Sequence, residues 1–206
     1  STVTFTDGKN VTHSIEYKSQ IPLTPVLKAV WHAGMSVMAA WFLLANLRFL
    51  FRLRRSRKPY PVENCPYPVY LTAELPSPCL FGLFRPAVYL TPASVESPET
   101  LRHVLAHETT HARHGDPIWS LLRCVCLAVY WFDPLVWAAA IVSRRDCELA
   151  CDEGALKRLG EDERIPYGRT LLRLIPVARK PESPMLSATT MTAGKRELKD
   201  RVTRIA

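Results

Sequence analysis

Between Val26 and Phe51 the chain is apolar, interrupted only by Lys28, His32, Asn46 and Arg48 among charged, imidazole and amide side chains. In hydrocarbon a backbone must satisfy its own N–H and C=O groups, so such a run is helical. At about 1.5 Å per residue it is long enough to cross ~30 Å of lipid. Lys28 and Arg48 lie near opposite ends and can snorkel, whereas His32 and Asn46 call for the interface or a partner helix. Arg48, Arg52, Arg54, Arg55, Arg57 and Lys58 then follow within eleven positions. A basic run at that place holds the inner side of a membrane and can meet anionic headgroups, so membrane lipid is an expected partner. The competing reading, a buried core helix, conflicts with that cluster.

This reading divides the chain into an extracellular loop or hairpin at 1–24, a transmembrane helix at 25–52 and a cytoplasmic domain at 53–206. With no initiator Met and no basic segment ahead of the apolar run, it is not a secretory signal, and the chain is expected to continue a longer protein. The 206 residues allow one globular core. The net charge of +8 is concentrated in the basic cluster, and no base-reading or stacking motif accompanies it, so nucleic acid is not an expected partner. The six cysteines, at 65, 79, 124, 126, 147 and 151, do not make a disulfide framework, and reduced thiols fit a cytosolic face. Cys147 and Cys151 can meet on one helix face, as metal ligands or, more simply, as small buried groups.

Ahead of the apolar run, Val3 and Phe5 alternate with threonines, and Val11, His13, Ile15 and Tyr17 alternate with polar residues. The Asp7-Gly8-Lys9-Asn10 turn between them predicts a hairpin. Past the Pro59 and Pro61 linker, Val69–Thr72 and Ala87–Leu90 predict a small antiparallel sheet bracketing a connection at 77–82. Such a sheet serves packing or can accept an extended substrate at its edge. Ser97 as N-cap, Pro98 at the first helical position, Glu99 at the positive end and Gly115 beyond the far end delimit a helix. Asp133-Pro134 breaks the next apolar stretch, predicting a helical hairpin over 118–143 that packs on the domain or dips into the membrane. A further helix should run from about Ser143 to Arg158, and another from Tyr167 to Ile175. The tail from Pro181 through Thr192 is expected to be exposed. The fold class is α+β: a mainly helical domain with a small antiparallel sheet, preceded by one transmembrane helix.

The chemistry is carried by His107-Glu108-Thr109-Thr110-His111. Histidines one turn apart project from one helix face, so two imidazole nitrogens can reach a single ion at ~2.0–2.1 Å. Glu108 beside them can act as general base on an activated water without being a ligand. A catalytic Zn2+ takes three protein ligands and keeps a site open, so a third donor must come from elsewhere. Glu148 is the leading candidate, because the intervening hairpin can return the chain alongside the first helix. Asp152 shares its face and can accept an N–H from a ligand histidine. The alternative is that Glu148 and Asp152 pair with Arg144, Arg145 or Lys157 on a solvated helix. His103 and His114 are expected at the surface or supporting the site from behind, since the spacing of a third-histidine extension is absent.

The combination of this motif with Asp116, Trp131-Phe132-Asp133-Pro134 and Arg145-Asp146-Cys147-Glu148-Leu149-Ala150-Cys151-Asp152 resembles the BlaR/MecR family of membrane metallopeptidases. Ser77-Pro78, Gly82 and Pro86 with Ala87-Val88-Tyr89-Leu90 add to the likeness, which covers roughly Val26 to Ala206. The family usually carries Asn where this chain has Asp133, and a bulky residue where it has Cys79. The resemblance implies a zincin domain of gluzincin type, with Glu148 as ligand and Asp152 as its support. It also implies a transducer of antibiotic-sensing type, in which a membrane sensor signals to a cytoplasmic zinc domain that cleaves itself or causes loss of a transcriptional repressor. No Ser-x-x-Lys motif occurs, so antibiotic recognition is not expected of this chain, and residues 194–201 resemble a segment leading to a next membrane helix. Two functions stay open: a zinc endopeptidase acting on itself or a repressor, or a zinc-bound scaffold without turnover. No residue specifies an oligomeric state, and a dimer is compatible with the sequence.

Overall fold

The computed structural model describes residues 2–6, 8, 12–16, 23–174, 189–190 and 195–205. Strands β1 (Thr2–Thr6) and β2 (Thr12–Glu16) pair antiparallel with Val3 opposite Ile15 and Phe5 opposite His13, as the alternation predicts. Most of the turn between them lies outside the described residues.

Helix α1 (Leu23–Ser56) exceeds the apolar run at both ends. Its last turn carries Arg54 and Arg55, which suit the negative end of a helix. Among the described residues it is the one helix long and apolar enough to cross a membrane, and most of its surface is bare, with Leu23, Val37, Leu43 and Phe51 exposed. It is covered along one side only. Phe42 packs with Cys124, Leu127 and Ala128, and Phe49 and Leu53 pack on a sheet.

That sheet has the order β3-β4-β6-β5-β7, from β3 (Lys58–Pro59), β4 (Val69–Leu71), β5 (Cys79–Phe81), β6 (Ala87–Leu90) and β7 (Thr189–Thr190). It is mixed, where an antiparallel sheet was expected. Cys79-Leu80-Phe81, read from sequence as connection, is itself a strand and takes the antiparallel place beside β6, so β4 lies on the other side of β6 and parallel to it. The β5–β6 turn needs Gly82, whose φ is +120° and whose Cβ would stand 2.5 Å from the Arg85 carbonyl oxygen. Side chains alternate across the sheet with the strand period of two. Cys79, Ala87 and Tyr89 face α1, and Leu80, Val88 and Leu90 face the opposite side.

On that opposite side lies α2 (Pro98–His114), packed through Val104. Ser97 accepts the Thr100 N–H at 3.1 Å, and Gly115 closes the helix with φ +71°. Asp133 caps the second arm of the predicted hairpin, which comprises α3 (Asp116–Val129) and α4 (Pro134–Leu159). The arm and the predicted helix from Ser143 are one continuous helix, because no Gly or Pro falls between Pro134 and Gly154 to interrupt it. Gly154 instead permits close approach: a Cβ there would lie 2.7 Å from Thr110 Cγ2 on α2.

After a short 3-10 turn comes α5 (Arg164–Leu174), and α6 (Lys195–Ile205) closes the described chain. Ala155, Tyr167, Leu171, Leu198 and Ile205 knit α4, α5 and α6 into one core. The exposed tail expected at 181–192 falls outside the described residues except for β7, which pairs with the outer edge of β5. The whole is mainly helical α+β, with a small sheet between α1 and α2.

Candidate metal centre

The site exists because α2 and α4 pack face to face at Gly154, one turn from Cys151 and six residues past Glu148. His107, Glu108 and His111 are buried on α2, and Glu148 and Asp152 are buried on α4. The solvated-helix alternative for Glu148 and Asp152 therefore does not hold: both are buried, and both meet His107 and Arg201. The Nε2 atoms of His107 and His111 face each other at 3.0 Å. Glu148 completes the triangle, with Oε2 3.6 Å from His107 Nε2 and Oε1 3.9 Å from His111 Nε2.

What lies behind the histidines fixes which nitrogens face inward. His111 Nδ1–H donates to Asp116 Oδ2 at 2.6 Å, and His107 Nδ1–H donates to the Tyr167 hydroxyl at 2.8 Å. The Tyr167 O–H in turn donates to Asp152 Oδ1 at 2.8 Å, and Asp152 also stands 3.2 Å from His107 Nδ1. With both Nδ1 atoms acting as donors, both Nε2 atoms present lone pairs to the same point. Such an arrangement fits a cation and is poor without one.

Arg201, on α6, is fully enclosed. It binds Asp152 through two hydrogen bonds of 2.6 and 2.7 Å and brings Nη1 within 3.1 Å of Glu148 Oε2. Burial alone would raise the Glu148 pKa, but the Arg201 charge and the two imidazoles outweigh it and hold the carboxyl near 2. Asp152 is also held low: burial opposes its ionisation, while His107 and Arg201 favour it more strongly. Asp116 is lowered in the same manner, burial being outweighed by His111. Three ionised carboxylates thus surround the histidines, Glu148 and Asp152 sharing the one guanidinium and Asp116 lying against His111, which leaves a deficit of positive charge that a divalent ion would neutralise.

Glu108 behaves differently. It is fully buried, and burial pushes its carboxyl up to about 8, with the nearby His111 and the Leu80 backbone on β5 opposing the shift. A carboxyl poised near neutrality beside this candidate metal site can exchange a proton. His103 is buried rather than superficial, with Nδ1 at 2.8 Å from Thr170 Oγ1 and Nε2 at 2.9 Å from Glu163, and His114 is exposed. Cys151 is buried and donates to Asp116 Oδ2 at 3.2 Å. It forms a second possible donor group with His111 and Asp116. Burial and Asp116 push its thiol far up, which makes it a weak ligand. Cys147 is only half-buried and is also raised, first by burial.

Tyr167 and Arg201 had no sequence signal. An arginine in the strongly polar stretch 195–204 reads as solvated, and only the packing of α6 on α4 shows otherwise. Asp116 stood one residue past the helix-ending Gly115, where an acidic residue is expected to favour the start of the next helix.

A family model described as BlaR1 peptidase M56 matches residues 2–205, and the chain belongs to that family. It is 26% identical to "Regulatory protein BlaR1" of Bacillus licheniformis over 208 aligned residues, covering 92% of this chain and 34% of the relative. It is also 26% identical to "Methicillin resistance mecR1 protein" of Staphylococcus aureus over 137 residues, covering 66% of this chain and 23% of the relative. The protein of the same description from Staphylococcus epidermidis matches to the same extent. The chain therefore spans about a third or less of the curated relatives it matches.

Two outcomes follow from the charges. Replacing Arg201 with Met leaves Glu148 and Asp152 as buried carboxylates without their counter-ion, and should cost the metal-stripped chain about 3–5 kcal/mol in denaturant unfolding at neutral pH. Glu108 has a folded pKa raised above its unfolded value of 4.5 to about 8, so its contribution is fully favourable below pH 4.5 and is lost as pH rises towards 8. Chelator-treated Glu108→Gln should therefore match wild type at low pH and gain on it progressively between those values, in unfolding measured across pH.

Proposed function

We propose that this member of the BlaR1 peptidase M56 family is a membrane-anchored zinc endopeptidase acting in signal transduction. Its metal would be held by His107, His111 and Glu148. The observation that carries the reading is the convergence of two Nε2 lone pairs and one ionised carboxylate on a single point, with the Glu108 carboxyl alongside.

Zinc held there would supply Lewis acidity towards a scissile carbonyl and make water acidic enough to deprotonate near neutral pH. Glu108 takes the proton of the attacking water and delivers it to the leaving amine, so hydrolysis needs no acyl-enzyme. Its raised pKa lets it hold that proton at neutral pH. Asp116 and the Tyr167–Asp152 pair keep both imidazoles turned with Nε2 inward, and Arg201 keeps Glu148 and Asp152 ionised.

Membrane placement supports the signalling role. In this reading β1 and β2 lie outside, α1 crosses the bilayer, and the metal site faces the cytoplasm below it. The α3–α4 hairpin runs back along α1 within the lipid, since the Trp31 indole N–H donates to the Val129 carbonyl at 2.8 Å. Its outer surface, with Ile118, Trp119, Leu122, Leu135 and Val142, is apolar and bare. The α4 helix then connects the hairpin to Glu148 without a break, so a shift of the membrane helices can reach the site.

The substrate class is protein: the chain itself, a transcriptional repressor, or both. Self-cleavage is supported by β7, which pairs Thr189 with Leu80 on the strand whose backbone adjoins Glu108. A segment of the chain thus lies where an extended substrate would add to the sheet. The regulatory and resistance descriptions of the relatives agree with a peptidase that acts on a control protein.

Zinc content and cleavage, of the chain itself and of a repressor substrate, should be measured on the same reconstituted samples. Wild type is expected to hold about one zinc and to cleave; Glu108→Gln should keep the metal and lose roughly 100- to 10,000-fold in rate, and His111→Ala should lose the metal. Undiminished cleavage by Glu108→Gln would contradict the mechanism, and zinc without any cleavage would make the chain a scaffold.

A further inference from the structure

Away from the metal site, on the α1 face of the sheet, lies a groove of about 680 Å3. Its floor is Tyr70 stacked on Tyr89 at 5.5 Å, and its upper wall includes Leu50 of α1 and Leu121 of α3. Three arginines stand around it: Arg54 and Arg57 from the end of α1, and Arg85 from the β5–β6 turn. None of the three has a carboxylate partner among the described ion pairs, and no acidic residue lines the groove. The Arg57 guanidinium is held 4.4 Å above the Tyr70 ring, so its charge is fixed over the floor.

Beside the groove the turn projects Phe84, which is 92% exposed. An apolar ring left in water is unfavourable, whereas a ring beside basic residues suits the lipid–water interface. The place along α1 agrees. Phe51 ends the apolar run, and Arg54 and Arg57 follow it by about 5 and 9 Å at the helical rise. The headgroup layer on one side of a bilayer has a depth of about 5–8 Å, so the arginines fall at and just below it.

We propose that this groove binds the headgroup phosphate of an anionic phospholipid of the inner leaflet, with Arg54, Arg57 and Arg85 around the phosphate and the acyl chains rising past Leu50 and Leu121. The assignment rests on α1 crossing the membrane as argued above. It makes the sheet that backs the metal site a lipid-contacting element: Phe81, on the strand next to β7, faces the groove.

The test places the full chain in nanodiscs of phosphatidylcholine containing phosphatidylglycerol. Lipids retained after detergent extraction are counted by native mass spectrometry, and amide exchange is followed over α1 and over residues 82–86. Wild type should retain phosphatidylglycerol in excess over its share of the disc, with residues 82–86 slower to exchange than in phosphatidylcholine alone. Arg57→Gln and Arg85→Gln should each cut the enrichment roughly fivefold, the equivalent of about 1 kcal/mol per cation at the surface. Lys157→Gln, which removes an exposed cation on α4, should leave it unchanged. Protected α1 amides without enrichment would overturn the groove while leaving the membrane anchor standing; unprotected α1 amides would overturn the anchor itself. Equal loss of enrichment in Lys157→Gln would reduce the effect to net charge and overturn the site. So would protection of residues 82–86 by inorganic phosphate in neutral detergent to the same degree, because the ligand would then be a free anion.

Discussion

The contact between α2 and α4 is what the rest of this structure depends on, and it is closed by a charge. Two helices carrying two histidines, two glutamates and an aspartate at their interface would repel or bury uncompensated carboxylates if they met alone. Arg201 resolves this by entering from α6 with a forked pair of hydrogen bonds to Asp152 and a close approach to Glu148. Burying such ions gains little net stability, but it fixes one geometry, because removing any member leaves a charge in a place water cannot reach. Gly154 supplies the room and Arg201 the neutralisation.

The same arrangement links the ends of the chain. Helix α6 reaches the site from beyond residue 194, and its apolar residues Leu198 and Ile205 share a core with Ala155 and Tyr167. The site is thus assembled from α2 to α6, with Asp116 of α3, Asp152 of α4, Tyr167 of α5 and Arg201 of α6 forming the polar network behind the histidines and Glu148. The hairpin between α3 and α4 binds this network to α1, since Phe42, Cys124, Leu127 and Ala128 form a separate cluster there. In the proposed reading, where α1 crosses the bilayer, displacement of the hairpin would shift Glu148 relative to His107 and His111, because α4 runs unbroken from the hairpin to the site.

Much of this was legible in the sequence, for reasons that differ by element. Helix α2 was readable to the residue because its ends carry their own chemistry, Ser97 and Pro98 at one and Gly115 at the other. The hairpin was readable because Asp133-Pro134 imposes a break. The sheet was misread where periodicity is weakest: three residues, Cys79 to Phe81, are too few to show an alternation, and they decided the direction of β4 against β6. The join of the hairpin arm to the Glu148 helix was missed because composition changes at Ser143 from apolar to charged, and a change of environment was taken for a change of element. Glu148 could be nominated because the hairpin can return its helix alongside α2 and because the family resemblance implies it, and Asp152 from its one-turn spacing to Glu148. Tyr167 and Arg201 could not, because their roles come entirely from tertiary packing by segments with no motif.

The central claim is that a metal sits between His107, His111 and Glu148 rather than with His111, Asp116 and Cys151, the neighbouring group of comparable compactness. X-ray absorption at the zinc edge of the reconstituted wild-type chain separates the two directly. The account predicts a shell of nitrogen and oxygen at about 2.0–2.2 Å with two imidazole signatures and no sulfur. A sulfur scatterer at ~2.3 Å would place Cys151 on the metal and contradict the site described here.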